Sequence, residues 1–347
     1  MSTMLAGRLH FDTGTFAVEE VPIPVPGPGE VLIEVKAAGV CLSDVHLIDG
    51  TIRPFRPREA VTLGHEVSGV VHSCGPGLAG EWAPGTRVAL QAGQACGTCE
   101  DCVRRRPCRQ PLTRGVDYDG GWAQYAIARE DTLARIPDTL PFDQAAIIPD
   151  AVSTPYAAVV ETGGVRPAQS VGVWGAGGLG VHGIRLARLA GAEPVIAIDP
   201  LATARDRALA AGADLALDPT DAGFAEAVAR ATGGRGLDVA FDFAGVPAVR
   251  EQAAAALGRD GVLVLAGLTP HPLTITGGTR FSYLRNQVRG HYGSRPEHVE
   301  QLIRLTSAGR LDLAPSITAH LPLAEAAEAV ARLEKKIGDP IRLVLVP

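Results

Sequence analysis

The chain has 347 residues, a hydrophobic fraction of 46% and a formal net charge of −6. This length predicts about two domains of roughly 150 residues, and the composition is that of a folded chain. An acidic balance argues against a broad basic surface for nucleic acid or anionic membrane. No apolar run reaches the roughly 20 residues of a membrane span, and no signal peptide is recognisable, so we expect a cytoplasmic protein.

The first 150 residues predict a mostly β, barrel-like unit. Short apolar runs of strand length lie at residues 31–35, 67–71 and 87–90. Segments rich in Pro and Gly, at residues 26–29 and 84–85, separate such runs and predict turns.

From about residue 170 the sequence changes to alternating strands and helices. Residues 170–174 predict a buried strand, and residues 181–189 have apolar side chains at helical spacing. Alternation of this kind predicts an α/β unit with a parallel sheet covered on both faces. The other predicted strands are 194–198, 215–217, 237–243, 262–266, 287–292 and 341–346, and the other predicted helices are 202–212, 222–232, 296–308 and 323–334.

A glycine-rich turn joins the strand at 170–174 to the helix that follows. Its sequence, Gly175-Ala-Gly177-Gly178-Leu179-Gly180, has the G-x-G-x-x-G spacing of a dinucleotide-binding turn. The first glycine permits the tight turn, the second lets the backbone approach a pyrophosphate, and the third lets helix and strand pack closely. The helix N-terminus would then offer N–H groups to the phosphates.

Asp199 ends the next predicted strand, 19 residues after Gly180. A carboxylate there accepts hydrogen bonds from the adenosine ribose and repels a 2′-phosphate, which favours NAD over NADP. Arg205 lies nearby in the sequence and could contact a 2′-phosphate, so NADP remains an alternative cofactor. The alternative interpretation is a tight strand-to-helix turn in which Asp199 only caps a helix.

A dense cysteine cluster predicts a structural zinc site. Cys96, Cys99, Cys102 and Cys108 supply four thiolates within thirteen residues. Zinc in structural sites takes four ligands tetrahedrally, and four thiolates leave no position open. The neighbouring arginines raise the alternative of a zinc ribbon that binds nucleic acid, but the net charge favours a solvated loop face; they are Arg104, Arg105, Arg106 and Arg109.

A second set of donors is dispersed along the chain: Cys41, His65, Glu66 and Asp150. One thiolate, one imidazole and one carboxylate would bind zinc and leave a position for water or substrate. Each residue also has an ordinary interpretation, since Cys41 suits a small core position, His65-Glu66 a polar turn and Asp150 a helix cap.

Together the motifs resemble the zinc-dependent medium-chain alcohol dehydrogenases over essentially the whole chain. Besides the four-cysteine loop and the turn at 175–180, the motifs are Gly39-Val-Cys-Leu-Ser-Asp-Val-His46, Gly64-His-Glu66, Gly120-Gly121 and Ala123-Gln-Tyr125. The resemblance implies a GroES-like β-barrel catalytic domain at residues 1–151, completed by 294–347. It also implies a Rossmann nucleotide-binding domain at residues 152–293.

The resemblance also implies roles at the dispersed donor set. Cys41, His65 and Asp150 correspond to the ligands of a catalytic zinc, although many relatives have cysteine at the last position. Glu66 corresponds to an acid beside the metal that exchanges with the fourth ligand. Asp44 corresponds to the carboxylate that orients His65.

Further roles follow from the same similarity. Ser43 and His46 match the proton relay, Thr154 matches a residue that packs near the nicotinamide, and Arg342 matches a pyrophosphate contact. Ala92 takes a position that lines the substrate pocket and is frequently aromatic in relatives, which predicts room for bulky alcohols. One departure is the spacing of five residues before Cys108, where seven are usual.

The sequence therefore predicts an NAD-dependent zinc alcohol dehydrogenase with two zinc ions per chain and an alcohol or ketone substrate. The resemblance implies a homodimer or homotetramer, with neither nucleic acid nor membrane as partner. Alternatives are a polyol or amino-alcohol dehydrogenase, and a metal-stabilised binding protein without catalysis. A zinc-free reductase of conjugated double bonds has the same fold but no use for Cys41 and His65.

Overall fold

The computed structural model describes residues 2–55, 58–78, 80–106 and 108–347. The chain divides into two compact units, one made of Met1–Asp150 with Pro296–Pro347 and the other of Ala151–Arg295. The strands in chain order are β1 (Thr3–His10), β2 (Thr15–Pro22), β3 (Glu30–Val40), β4 (Ala60–Thr62), β5 (Val67–Cys74), β6 (Arg87–Leu90), β7 (Gly93–Gln94), β8 (Leu112–Thr113), β9 (Tyr125–Arg129), β10 (Leu133–Arg135), β11 (Val171–Trp174), β12 (Val195–Ile198), β13 (Leu215–Leu217), β14 (Leu237–Asp242), β15 (Leu257–Leu265), β16 (Gln287–Gly290), β17 (Ile317–Pro322) and β18 (Arg342–Val346).

The helices are α1 (Leu42–Ile48), α2 (Glu100–Val103), α3 (Phe142–Ile147), α4 (Ser153–Ala157), α5 (Gly180–Leu189), α6 (Ala202–Ala210), α7 (Phe224–Ala231), α8 (Pro247–Ala256), α9 (Gly278–Tyr283), α10 (Pro296–Ser307) and α11 (Ala326–Glu334). Two π-helical turns, Ile148–Val152 and Ala158–Thr162, flank α4. None of the described helices has both the length and the apolar composition that a membrane crossing requires.

The first unit is built around β3, whose apolar side chains are almost fully buried. This strand pairs with β5 along one edge, and with β9 and then β18 along the other. The β3–β5 register shifts twice, and such bulges bend a sheet and increase its twist. In the same sheet β18 lies antiparallel to β3, with Leu343 opposite Val40, so the last strand lies beside the end of β3.

The second unit is a parallel sheet with the strand order β13-β12-β11-β14-β15-β16. Counted from its first strand, this is the 3-2-1-4-5-6 order of a Rossmann fold. The order reverses between β11 and β14, and the carboxyl edge at that point is where such folds bind dinucleotides. The predicted α/β class is thereby confirmed.

Several elements escape the sequence-based prediction. The hairpin of β1 and β2, helices α8 and α9, and strand β17 were not expected, and β15 begins at Leu257 rather than residue 262. Helix α8 has the sequence PAVREQAAAA, in which alanine replaces the larger apolar residues that make a helical stripe visible.

Candidate functional site

Cys41 lies where β3 ends and α1 begins. It is the N-cap residue of α1, in extended conformation, and its backbone N–H donates to Asp44 Oδ2 over 2.9 Å. Asp44 stands in the first turn of α1, where a carboxylate also suits the helix dipole. Cys41 is thus held by a buried carboxylate three residues further on, and it is itself buried.

His65 and Glu66 lie in the turn between β4 and β5, where glycines make close packing possible. Gly64 has φ +91°, and a Cβ there would lie 2.2 Å from the Trp122 indole. A Cβ on Gly39 would lie 2.0 Å from Glu66 Oε2, so only glycine at this position of β3 leaves room for the carboxylate. The Trp122 Nε1–H donates to the Gly39 carbonyl over 3.0 Å and fixes this contact.

The first unit brings together the four dispersed donors that the sequence singled out. The ligand atoms of Cys41, His65, Glu66 and Asp150 all lie within 4.8 Å of one another. Asp150 Oδ2 is 3.5 Å from Cys41 Sγ and 3.3 Å from His65 Nε2. Zinc bonds of about 2.0–2.3 Å in a tetrahedron put neighbouring ligand atoms about 3.3–3.8 Å apart, so the donor set fits this ion.

Asp150 comes from the π-helical turn Ile148–Val152, a type of irregularity that is frequent at functional sites. Its side chain is 20% exposed, whereas that of His65 is 5% exposed and that of Glu66 is fully buried. Asp150 is therefore the most exposed of these three donors, and the other two are shielded from solvent.

Two further charged side chains surround the four donors. Asp44 Oδ1 lies 3.5 Å from His65 Nδ1, so one carboxylate contacts both Cys41 and His65. Arg342, the first residue of β18, places its guanidinium 3.0 Å from Glu66 Oε1 and 3.9 Å from Asp150 Oδ2. The resemblance assigns this arginine to the pyrophosphate, whereas in the structure its side chain is buried beside Glu66.

The pKa values of the cluster show that it attracts positive charge. Burial opposes protonation of His65, but the nearby Asp44 and Asp150 carboxylates raise the pKa of this imidazole well above its usual range. Burial raises the pKa of Glu66 to about 7, although Arg342 opposes the rise. Without a metal the cluster takes up protons, and a bound cation would displace them.

The two residues assigned to a proton relay lie on α1. Ser43 Oγ is 3.8 Å from Cys41 Sγ, and His46 follows three residues later. Residues three apart on a helix face the same side, and both side chains are half-buried.

The four-cysteine loop also closes on itself. Its ends pair as β7 and β8, and neighbouring sulfurs lie 3.5–3.9 Å apart. These distances suit four sulfurs around one zinc, about 3.8 Å apart at bonds of about 2.3 Å, and they exclude disulfides. Cys108 reaches the cluster despite the short spacing before it; Pro107 lies outside the described residues.

The thiols of this loop have pKa values shifted in opposite directions. Backbone N–H groups of Thr98 and Cys99 lower the pKa of Cys96 to about 6. Desolvation and the adjacent Cys99 side chain raise the pKa of Cys102 to about 12. Four thiolates this close together repel one another, so a cation at their centre is needed to hold all four ionised.

Three of the four arginines of the loop contact its own acidic side chains. Asp101 pairs with both Arg106 and Arg109, and Arg104 pairs with Glu100 over 2.9 Å. Paired, partly solvated arginines favour the interpretation of a solvated loop face over a nucleic-acid-binding ribbon.

In the second unit the glycine-rich turn follows β11 at the point where the strand order reverses. Gly175 has φ +88°, which a tight turn requires. A Cβ on Gly180 would lie 1.7 Å from the Gly175 carbonyl oxygen, whereas a Cβ on Gly177 would meet nothing within 4 Å. Gly178 and Leu179 lead into α5, whose first residue is Gly180.

Asp199 follows β12 and is fixed beside this turn. Its carboxylate accepts hydrogen bonds from the backbone N–H groups of Ala176 and Leu201, each over 2.9 Å. Arg205 donates to Asp218 Oδ2 over 3.1 Å and to the Asp199 carbonyl over 2.8 Å. Arg205, the residue that could have met a 2′-phosphate of NADP, is therefore already bound to acceptors within the second unit.

Thr154 lies in α4, and a residue that sequence reasoning missed fixes its backbone. His291 Nε2–H donates to the Thr154 carbonyl over 2.9 Å, while His291 Nδ1 lies 2.9 Å from Thr162 Oγ1. The Arg342–Glu66 pair was missed as well. Neither contact leaves a local signal, because the partners are far apart in the sequence.

Comparison with known proteins gives consistent matches in both units. Residues 27–138 match the alcohol dehydrogenase GroES-like domain, and residues 178–308 match the zinc-binding dehydrogenase family. The chain is 32% identical to the NDMA-dependent alcohol dehydrogenase of Amycolatopsis methanolica, with 98% of each chain covered. It is 33% identical to L-threonine 3-dehydrogenase of Pyrococcus horikoshii, with 86% of each chain covered.

Among solved structures, one from Sinorhizobium meliloti 1021, described as a zinc-binding dehydrogenase bound to NADP, superimposes with a TM-score of 0.90. It is 29% identical, and the match covers 100% of both chains. Because a relative 32% identical aligns along nearly the whole chain, and both units match the corresponding families, the chain belongs to the zinc-dependent medium-chain dehydrogenase/reductase family.

Proposed function

We propose that this oxidoreductase is an NAD-dependent alcohol dehydrogenase that binds two zinc ions per chain. It oxidises secondary or bulky alcohols and reduces the corresponding ketones or aldehydes. The observation that carries the proposal is the donor set of Cys41, His65, Glu66 and Asp150, whose ligand atoms lie within 4.8 Å of one another. A merely structural zinc site has no need of an exposed side or of a serine and a histidine beside it.

Three residues, Cys41, His65 and Asp150, would hold the catalytic zinc. Bound zinc acts as a Lewis acid and lowers the pKa of an alcohol oxygen. Asp44 fixes the N–H of Cys41 and the imidazole of His65 at once, so the two ligands keep their relative orientation. Glu66 would exchange with the fourth ligand of the zinc. Its ion pair with Arg342 balances its charge.

Ser43 would take the hydroxyl proton, and the 3.8 Å between its Oγ and Cys41 Sγ supports this role. His46, three residues later on α1, passes that proton towards solvent, which a histidine does readily near neutral pH. The bound nicotinamide supplies the hydride acceptor, and the chain positions it. Reduction of a ketone uses the same residues in the opposite order.

NAD is the preferred cofactor in this proposal, although a similar structure binds NADP. Asp199→Asn keeps an acceptor for the Ala176 N–H but removes the charge that faces a 2′-phosphate. We expect the NAD-over-NADP ratio of kcat/KM to fall by about tenfold or more, because charges about 4 Å apart repel by ~1–4 kcal/mol. Asp206→Asn, an exposed change on α6, is the control and should leave the ratio unchanged. A wild type that prefers NADP would contradict this assignment of Asp199.

The preference for bulky alcohols rests on Ala92, a half-buried residue after β6 whose carbonyl accepts the Arg114 N–H over 2.8 Å. Ala92→Phe should lower kcat/KM for a branched or cyclic secondary alcohol by about 10-fold or more, and much less for a short primary one. A methylene-sized change in an apolar pocket is worth ~1–3 kcal/mol. Ala95→Phe adds the same ring at an exposed position and should change neither value. Equal losses on both substrates in Ala92→Phe would show that Ala92 does not shape the pocket.

An amino-alcohol dehydrogenase is the second candidate, favoured by the similarity to L-threonine 3-dehydrogenase. Initial rates with NAD on a panel of secondary alcohols, polyols and L-threonine test the two directly. Higher kcat/KM on secondary alcohols supports the proposal, and a preference for L-threonine replaces it with the second candidate.

We also propose that the protein is a homodimer or homotetramer. Light scattering on the same preparation measures the oligomeric state.

A further inference from the structure

A buried ion pair outside both cysteine-containing clusters lies at the carboxyl edge of the Rossmann sheet. Asp242, the last residue of β14, is fully buried, and Arg250 of α8 donates from Nε to Asp242 Oδ2 over 2.7 Å. Buried charges cost free energy through lost hydration, so such a pair persists only where its hydrogen bonds are well satisfied. The hydrogen bonds of this pair extend into two loops.

The first loop follows β14. Asp242 Oδ1 accepts hydrogen bonds from the backbone N–H groups of Ala244 and Gly245, over 2.9 and 2.8 Å. The second loop follows β15. Arg250 donates from its terminal nitrogen to the Gly267 carbonyl over 2.6 Å, and the Gly267 N–H donates to the Asp242 carbonyl over 2.7 Å. One ion pair thus fixes the backbone of both loops.

These loops also pack against each other and against the glycine-rich turn. A Cβ on Gly267 would lie 2.3 Å from the Gly245 nitrogen, so the two loop backbones are in direct contact. A Cβ on Gly175 would lie 3.2 Å from the Ala244 Cβ. The ion pair therefore sets the position of two loops and, through Ala244, borders the turn that begins the nucleotide motif.

The place of these loops in the sheet assigns them to one half of the dinucleotide. A Rossmann sheet consists of two mononucleotide-binding halves, and ligands lie outside the carboxyl ends of the strands. Asp199, after β12, belongs to the half that binds adenosine. The loops after β14 and β15 belong to the other half, which faces the nicotinamide mononucleotide.

We propose that Asp242 and Arg250 are positioning residues for the nicotinamide half of the cofactor, acting through the backbones of the loops after β14 and β15. This inference rests on the proposed use of a nicotinamide dinucleotide. The second unit would then use different residues for the two halves of the cofactor. Asp199 contacts the adenosine half, and the ion pair positions the loops that face the nicotinamide half.

The test compares two probes, AMP for the adenosine half and NADH for the whole cofactor, on zinc-loaded protein. In Asp242→Asn, the Kd of NADH should rise tenfold or more, while the Kd of AMP stays within twofold of the wild-type value. Arg250→Lys keeps the buried charge but cannot reach both Asp242 and Gly267 with a planar fork, so it should act in the same direction. If Asp242→Asn does not fold, the same two Kd values are measured on Arg250→Lys instead.

Arg188→Gln is the matched control, because it removes an ion pair with Asp214 at the amino edge of the same sheet. It should leave both Kd values unchanged. If the variants of Asp242 and Arg250 weaken AMP and NADH equally, or weaken neither, the positioning role is wrong and the pair only stabilises the fold. A wild type that binds neither probe would instead overturn the proposed cofactor.

Discussion

Cys41→Ser is expected to remove one of the two zinc ions proposed per chain and to lower kcat by ~10³-fold or more. The serine hydroxyl stays protonated at neutral pH and is a poor zinc ligand, which leaves only His65 and Asp150. Lewis-acid stabilisation is worth several kcal/mol, hence the size of the loss. The backbone N–H of residue 41 still donates to Asp44, so α1 should remain capped. Elemental analysis and initial rates on the purified variant measure both effects.

Cys74→Ser is the matched control for this substitution. Cys74 is the one cysteine of the sequence outside the two donor sets, and its Sγ donates to the Trp82 carbonyl over 2.9 Å. A serine there keeps a donor, so zinc content and kcat should match the wild type. If Cys41→Ser retains both zinc ions and its activity, the donor set around Asp150 is not the catalytic centre.

Cys99→Ser should also remove one zinc ion, but its main effect should be on stability. Structural zinc sites in peptides bind with an apparent ~10–16 kcal/mol, and this binding energy is folding energy. Even a few kcal/mol lost from a domain of this size lowers Tm by roughly 10 °C or more. Cys99 Sγ accepts the Cys102 N–H as the N-cap of α2, and serine is a favoured N-cap residue. The loss is therefore attributable to the metal rather than to the helix end.

Differential scanning calorimetry with elemental analysis checks this expectation, and Cys74→Ser again serves as the control. A variant that keeps the wild-type Tm and still holds two zinc ions would show that the loop does not bind metal. A lowered Tm with unchanged zinc content would place the effect in packing instead.

The architecture was largely predictable, because it follows from local patterns. Each strand from β11 to β14 has a short apolar run that a glycine or an acid ends, and helices α5 and α7 between them have a spaced apolar face. The elements that were missed lack such patterns. Strand β2 (Thr15–Pro22) is only partly buried, and its apolar and polar residues alternate weakly. Helix α8 is mostly alanine on the side that the sheet buries.

The two donor sets could be named from residue type and from the family resemblance, but the residues around them could not. Nothing near Glu66 in the sequence indicates that Arg342 lies 3.0 Å away, because β18 comes beside β3 only through pairing of distant strands. The same limit applies to Asp242 and Arg250. They are eight residues apart, one at a strand end and one within a helix, and the loop contacts they make depend on tertiary structure.

Gly177 and Gly180 belong to the same motif but differ in what an added side chain would meet. Every missense change in a glycine codon adds a Cβ, and at Gly180 that atom would overlap the Gly175 carbonyl, at 1.7 Å. A mutational scan that selects only for folded protein should therefore reject all substitutions at Gly180. The same scan should accept small residues at Gly177, where the chain leaves open space. A scan that selects for growth on the proposed activity should reject both, because a bound dinucleotide would fill the space beside the backbone at Gly177.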